Sequence, residues 1–170
     1  VEGMGPVDVL RRGGVDVKTV SVTGSEMVST SHGVTVKADM LFEDADFSDA
    51  DLLMLPGGMP GSATLDMHEG LHTVLAAHNS AGKLIGAICA APMVLGRMGL
   101  LKARRATCYP GFDKYLEGAE YTSELVTVDG NIVTGKGPAA TLPYAYRLLE
   151  MLEGAEKSRE VAEGMGFFWR

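Results

Sequence analysis

The sequence has few residues of several kinds, and each scarcity excludes a class of protein. Its 170 residues include two cysteines, and 6% of the residues are aromatic. Two cysteines cannot form the disulfide framework of a small secreted scaffold, so each is treated as a thiol. Lysine and arginine number 15 against 22 acidic residues, which gives a net charge of -7. Because a polyanion is bound by clustered basic residues, we expect no nucleic-acid partner.

Long apolar runs are also missing. The longest fall well short of the roughly 20 residues that cross a bilayer, and the sequence does not open with a basic and then apolar leader. These features predict a cytoplasmic protein without a membrane partner. Hydrophobic residues make up 46% of the chain, which is enough for a buried core, and the length favours one domain over residues 1–170.

Apolar periodicity predicts strands that alternate with helices. The expected helices are one that ends at residues 11–14, then 65–79, 90–98, 139–152 and 156–164. The expected strands are 15–22, 52–55, 84–88 and 107–110, with a hairpin over 125–134 and either a hairpin or a broken strand over 27–40. This order predicts an α/β fold, in which a doubly wound, mostly parallel sheet is covered by helices on both faces.

Two of the predicted strands end in residues suited to a site. Gly57 and Gly58 follow the strand over 52–55, and Cys89 follows the strand over 84–88. Carboxyl ends of parallel strands meet at one edge, where ligands bind. A cysteine at a helix N-terminus is exposed to N–H groups that favour the thiolate, so Cys89 is a candidate nucleophile, and paired glycines leave N–H groups free to face an oxyanion. The alternative interpretation of Cys89 is a small buried apolar residue.

Residues 68–72 (HEGLH) match the zinc-metalloprotease pattern. Gly70 would weaken the helix that must hold the ligands, and the pattern begins in the first turn of that helix. No later residue supplies a third ligand, because His78 would lie off the ligand face. We therefore expect a solvated helix face here and no metal.

Three segments together resemble one known family. They are residues 87–92 (AICAAP), 55–58 (LPGG) and 135–138 (GKGP), and residues 6–12 (PVDVLRR) match in register with them. The sequence resembles the ThiJ/PfpI superfamily, and within it the branch of the Parkinsonism-associated deglycase and its bacterial relatives. The resemblance implies a flavodoxin-like sandwich, a homodimer, and a central strand before Glu2 that the 170 residues do not include.

The resemblance also implies roles for individual residues. Cys89 would be the reactive cysteine, and Glu2 would be the protonated glutamate whose hydrogen bond favours the thiolate and stabilises a sulfinate. Backbone groups for an oxyanion would come from Gly57, Gly58 and Ala90. The positions that would line the site or the dimer contact are Tyr109, Pro138 and Arg12.

Tyr109 departs from part of the family, since eukaryotic members and PfpI-type proteases place a histidine there. Without that general base, a Cys-His peptidase mechanism loses its proton acceptor. Cys108 is either a second redox thiol or, as we prefer, a structural cysteine of a strand.

The resemblance implies a cysteine-dependent glyoxalase or deglycase that acts on small aldehydes such as methylglyoxal and needs no cofactor. A redox-responsive chaperone that works through oxidation of Cys89 is the alternative function. A peptidase is a weaker possibility because the histidine is absent. A role in making the thiazole precursor of thiamine is also weaker, because no nucleotide or thiazole motif is present.

Overall fold

The computed structural model describes residues 1–167, in which helices and strands alternate. The helices are α1 (Met4–Arg12), α2 (Gly61–Asp66), α3 (Glu69–Ser80), α4 (Pro92–Arg97), α5 (Thr141–Glu153) and α6 (Ala155–Gly164). The strands are β1 (Val20–Ser21), β2 (Met27–Ser29), β3 (Thr35–Lys37), β4 (Met40–Leu41), β5 (Leu52–Leu55), β6 (Leu84–Ile88), β7 (Arg105–Ala106), β8 (Glu120–Tyr121), β9 (Val126–Asp129) and β10 (Ile132–Gly135).

The main sheet has four strands in the order β5-β6-β10-β9. β5, β6 and β10 run parallel, and β9 pairs antiparallel with β10. Three smaller ladders join β1 to β4, β2 to β3 and β7 to β8. The predicted α/β fold with a mostly parallel sheet is confirmed.

Side chains of the sheet alternate between two separate cores. On β6, Ile85 and Ala87 face a core shared with α3 and α4, whereas Leu84 and Ile88 face one shared with α1, α5 and α6. All five residues of β6 are buried. The sheet is therefore covered by helices on both faces, as a continuous apolar strand requires.

Helices α1 and α5 run parallel to each other on one face. A Cβ added at Gly5 would lie 2.5 Å from Thr141 Cγ2, and one added at Gly13 would collide with Leu149. The first contact lies near the start of both helices and the second lies toward the end of both, so their N-termini lie at the same end. The carboxyl termini of the parallel strands also lie at that end, and so does the start of the chain.

Several predicted elements are confirmed at or near their boundaries. β5 and β6 cover residues 52–55 and 84–88, as expected. The hairpin over 27–40 is formed by β2 and β3, and the one over 125–134 by β9 and β10. Gly130 adopts φ +57° in the latter turn, which an L side chain rarely adopts.

The helix predicted over 65–79 is wrong in one respect, because α2 and α3 are separate. His68 has the extended backbone of a helix N-cap (ψ 96°), and its Nδ1 accepts from the Leu71 N–H at 3.0 Å. Its ring also packs edge-on against Phe42, with centroids 4.4 Å apart. Capping and packing by His68 therefore start a new helix where the apolar spacing alone continues the old one.

The strand predicted over 107–110 is wrong. The Thr107 N–H donates to a side chain, Thr134 Oγ1, at 2.9 Å, and the Tyr109 N–H donates to the Cys89 carbonyl at 2.8 Å. Pro110 has no N–H to donate. The backbone donors of this segment are thus used outside any ladder.

Two further predicted elements are longer than the observed ones. The strand expected over 15–22 forms a ladder only at β1, where Val20 and Ser21 pair with β4. The helix expected over 90–98 begins at Pro92 instead, because Ala90 and Ala91 form the turn that follows Cys89. Within residues 1–167, no helix combines the length and the apolar character that a membrane crossing needs.

Candidate active site

Cys89 lies on a tight turn between β6 and α4. Its φ of 66° is in the left-handed region, which is strained for a residue with a side chain. The turn is held on both sides, because the Cys89 N–H donates to Gly135 O and the Cys89 carbonyl accepts from Tyr109 N–H, each at 2.8 Å. The thiol is 8% exposed, so it sits at the bottom of the site rather than on the surface.

The loop after β5 brings Gly57 and Gly58 against the cysteine. A Cβ at Gly57 would collide with Cys89 Cβ and lie 2.6 Å from both Glu2 Oε2 and Ile88 O, so no larger residue fits. Gly58 adopts φ +89°, and its N–H hydrogen bonds to the Cys89 sulfur. The N–H of Ala90 donates to the same sulfur. The sulfur therefore receives two backbone donors, one from each strand-terminal loop.

Glu2 precedes α1 and reaches the same sulfur. Its residue is 9% exposed, and its carboxyl group hydrogen bonds to Cys89. The other carboxyl oxygen, Oε1, is buried and has no hydrogen-bond partner among the described residues. The parallel packing of α1 and α5 places this end of the chain in the site, so Glu2 is a buried site residue and not an exposed terminal one.

The pKa of the Cys89 thiol is raised to about 11. Burial is the largest cause, and the charge and hydrogen bond of Glu2 add to it, while the N–H groups of Gly58 and Ala90 lower the pKa. The contributions of Glu2 have this sign when its carboxyl is ionised. A carboxyl that keeps its proton donates to the sulfur instead, and the sign reverses. The direction in which Glu2 shifts the thiol pKa therefore depends on whether its carboxyl carries a proton.

Tyr109 and Pro138 line a cavity beside this turn. The cavity has a volume of about 240 Å³, and Leu125 and residues 136–140 form much of its wall. Tyr109 is 47% exposed, and its ring lies 3.1 Å from the position of a Cβ on Gly137. The structure thus brings Tyr109 and Pro138 to the site, next to the backbone of Cys89.

Arg12 and Cys108 are not brought to the sulfur. Arg12 is in the last turn of α1, about 12 Å along the helix from Met4, which follows Glu2 and begins the helix, by the usual rise per residue. Its guanidinium forms an ion pair with Asp8 at 2.8 Å, and the Asp8 hydrogen bond raises the pKa of Arg12. Cys108 is fully buried in the core on the opposite face, where burial raises its pKa to about 12.

The histidines of residues 68–72 have local roles in α3. His68 caps the helix through Leu71, and the buried Nε2 of His72 has no hydrogen-bond partner among the described residues. Within residues 1–167, no group of three or more histidine, cysteine or acidic side chains is arranged to hold a metal ion.

The geometry agrees with comparisons to known proteins. A model of the DJ-1/PfpI family matches residues 1–151 of the chain. The chain belongs to this family. The Arabidopsis thaliana protein DJ-1 homolog B is 42% identical over 158 residues, which are 92% of this chain and 36% of that protein. The chain therefore spans about a third of the length of that DJ-1 relative.

Other DJ-1 relatives match over most of their own length. A Caenorhabditis elegans protein named glutathione-independent glyoxalase DJR-1.2 is 35% identical over 156 residues, covering 91% of this chain and 82% of that protein. The crystal structure of Drosophila melanogaster DJ-1beta superposes with a TM-score of 0.95 at 34% identity, covering 99% of this chain and 91% of that chain. The DJ-1/PfpI fold is shown by both comparisons.

Two features of the site carry no signal in the sequence. Leu125 was assigned to a strand end, yet its side chain is 47% exposed and lines the cavity beside Cys89. The hydroxyl of Ser31, at the tip of the β2–β3 hairpin, lies 3.8 Å from the position of a Cβ on Gly58. Both contacts join segments far apart in sequence, so no local pattern encodes them.

Proposed function

We propose that the chain is a cysteine-dependent glyoxalase or deglycase acting on small reactive carbonyl compounds, such as methylglyoxal, and on their protein adducts. The observation that carries the proposal is the position of the Cys89 sulfur, between the Glu2 carboxyl and the N–H groups of Gly58 and Ala90. The C. elegans relative, named as a glutathione-independent glyoxalase, supports the same activity.

The first step joins the Cys89 sulfur to the aldehyde carbon. The proton lies on Glu2 when the Cys89 thiolate attacks, a C–S bond forms, and the C=O π bond breaks to leave negative charge on oxygen. The N–H groups of Gly58 and Ala90 lie beside the sulfur, where they stabilise charge on the thiolate or on the new alkoxide. Glu2 then returns its proton to this oxygen, which gives a hemithioacetal.

The later steps move a proton and add water. The Glu2 carboxylate removes the proton of the former aldehyde carbon and passes it to the neighbouring ketone oxygen, which gives an enediol. Glu2 then moves the proton of the hydroxyl on the sulfur-bearing carbon to the neighbouring carbon, and the C=O that forms gives a thioester of a 2-hydroxy acid. Water hydrolyses this thioester, so methylglyoxal and water yield lactic acid and the free thiol, without any cofactor. From a protein adduct, the Cys89 sulfur displaces the protein group: a C–S bond to the adduct carbon forms, the bond from that carbon to the protein nitrogen or sulfur breaks, and the released amine or thiol takes a proton.

The test is hydroxy-acid formation from methylglyoxal without added glutathione. Cys89→Ser is expected to lose turnover completely, because a hydroxyl is a far weaker nucleophile than a thiolate. Cys108→Ala is the matched control, since the second thiol is buried on the opposite face of the sheet, and it is expected to keep turnover. Equal turnover by Cys89→Ser and the wild type would contradict the proposal.

The same geometry favours one second candidate, a redox-responsive chaperone. A peroxide that oxidises Cys89 to a sulfinate adds two oxygens, which can accept from the N–H groups of Gly58 and Ala90 and from a protonated Glu2. Absence of turnover in both wild type and Cys89→Ser would favour this candidate. Client protection that is equal in the oxidised and reduced protein would contradict it.

A further inference from the structure

The cavity beside Cys89 is built on the two segments that fix the cysteine backbone. Tyr109, whose N–H bonds to the Cys89 carbonyl, begins one wall. Lys136, which follows the Gly135 carbonyl that accepts from the Cys89 N–H, begins the other wall. The backbone of Cys89 therefore lies between the two segments that begin the walls of this cavity.

Most of the cavity wall is apolar. Its side chains are those of Tyr109, Pro110, Leu125, Pro138, Ala139 and Ala140. Tyr109 and Leu125 are each 47% exposed, although both are large apolar residues. A concave surface lined by exposed apolar side chains is more often a binding site than a surface with no ligand.

Lys136 is the one charged residue of the wall, and its ammonium group hydrogen bonds to Ser123. Lys136 Nζ donates to the carbonyl and to the hydroxyl of Ser123, each at 3.0 Å. Ser123 holds the left-handed backbone (φ 56°) that presents both oxygens to this amine. The ammonium is thus partly satisfied within the protein, and the wall offers chiefly the apolar stem of Lys136 to a ligand.

The cavity is large enough for a ring. Its volume is about 240 Å³, and an apolar cavity of about 150 Å³ holds a benzene molecule. A methyl group would fill only a small part of it. The wall is also too apolar to replace the water around a carboxylate or a sugar chain.

We propose that this cavity is a subsite for an apolar substituent on the carbonyl compound, so that aryl- and branched-alkyl-substituted 2-oxoaldehydes are preferred over unsubstituted glyoxal. The aldehyde carbon bonds to Cys89, and the substituent lies between Tyr109 and Leu125. The inference rests on the proposed function for its substrate class, and on the cavity alone for its apolar preference.

The first experiment compares phenylglyoxal with glyoxal. The ratio of their kcat/KM values is measured in the wild type, in Leu125→Gln and in Met151→Gln. Because each ratio is compared with the wild-type ratio, the intrinsic reactivity of the two aldehydes cancels. Leu125→Gln is expected to lower the ratio about tenfold, the low end of what one apolar pocket contact contributes. Met151 is 39% exposed and lies beside Gly82 and Gly130, beyond the opposite ends of the strands, so Met151→Gln should keep the ratio.

A second measurement keeps the inference testable without turnover. The rates at which N-phenyliodoacetamide and iodoacetamide alkylate Cys89 are compared in the same three proteins. The phenyl reagent is expected to be favoured in the wild type, and Leu125→Gln should reduce that preference about tenfold. If wild type turns over neither aldehyde but the alkylation preference falls, the proposed function fails and the subsite stands. The subsite is overturned if both measurements show the same preference for the phenyl compound in Leu125→Gln as in the wild type.

Discussion

At the scale of single residues, the proposed chemistry depends on the contact between Glu2 and Cys89. Both groups are buried, and they are hydrogen bonded to each other. In the proposed mechanism the Cys89 thiolate is the nucleophile. The backbone donors from Gly58 and Ala90 stabilise that form.

Replacing Glu2 tests which group holds the proton at neutral pH. We expect Glu2→Ala to raise the apparent pKa of Cys89, because the sulfur loses the donor that favours its charged form. Glu2→Gln keeps an amide donor and should fall between the wild type and Glu2→Ala. The measurement is the pH dependence of the rate at which iodoacetamide alkylates Cys89.

A fall in the apparent pKa of Cys89 in Glu2→Ala would have a different interpretation. An ionised Glu2 raises the pKa of Cys89 through its charge. A lower apparent pKa in Glu2→Ala would therefore show that the resting carboxyl is ionised, and would contradict its assignment as the proton donor.

At the residue level, a local rule predicted where Cys89, Gly57 and Gly58 lie relative to the strands. Cys89 was located because a short apolar strand ended directly before it, and Gly57 and Gly58 because they ended the preceding strand. The position of Glu2 required the resemblance, since nothing in its neighbours indicates burial. Leu125 could not be predicted, because its role arises from a cavity between distant segments.

At the scale of elements, the loop after β5 and the turn after β6 form one unit. Gly57 allows the two backbones to approach, since its missing Cβ leaves room for Cys89 and for Ile88 O. This contact sets the distance from the Gly58 N–H to the sulfur. The strength of one donor to Cys89 thus depends on Gly57 as well as on the residue that carries the N–H.

Gly57→Ala is expected to slow alkylation of Cys89 and to lower the free energy of unfolding by about 1–3 kcal/mol, the usual cost of an added methyl group in a packed region. The loop must shift, and the Gly58 N–H that lowers the thiol pKa moves with it. Urea unfolding and the alkylation rate measure the two effects.

Gly61→Ala is the matched control, because a Cβ at Gly61 meets nothing within 4 Å and its backbone is that of an ordinary helix start. It should change neither quantity appreciably. Equal behaviour of the two variants would mean that the loop tolerates the extra group and that the contact does not position Gly58.

Prediction of elements from the sequence failed where side chains compete with the backbone. β5 and β6 are continuous apolar runs, and they were found at their boundaries. The break between α2 and α3 depends on His68 Nδ1 accepting from Leu71 N–H, which apolar spacing does not register. Residues 107–110 resemble a strand, but Thr107 donates to the hydroxyl of Thr134 instead of to a neighbouring strand.

At the scale of the whole molecule, acid should weaken the fold through His78. This histidine on α3 is 5% exposed, and its Nε2 lies 3.0 Å from Leu84 O at the start of β6. Burial lowers its pKa, the Lys83 charge lowers it further, and hydrogen bonds to Leu84 and Asp51 oppose the shift. The folded protein therefore binds this proton less readily than the unfolded chain does.

The sign of the pH effect follows from that difference. The stability from neutral His78 is present above the unfolded pKa of about 6.5 and is lost as the pH falls toward the lower folded value. The wild type should lose more stability than His78→Gln between about pH 7.5 and about pH 5.5, as measured by urea midpoints. His32→Gln, at the exposed tip of the β2–β3 hairpin, should behave as the wild type. Parallel losses in all three proteins would exclude His78 as the cause.

The separation of the two cores has a practical consequence for the two sulfur atoms. Cys89 sits at the end of β6 on one face, with 8% of its surface exposed, and Cys108 lies at 0% exposure among the side chains of the other face. A mass tag should count one accessible thiol in the folded protein and two after the sheet opens. The chain thus carries its own reporter, in which labelling at Cys89 follows the chemistry of the site and labelling at Cys108 records how often the other core comes apart.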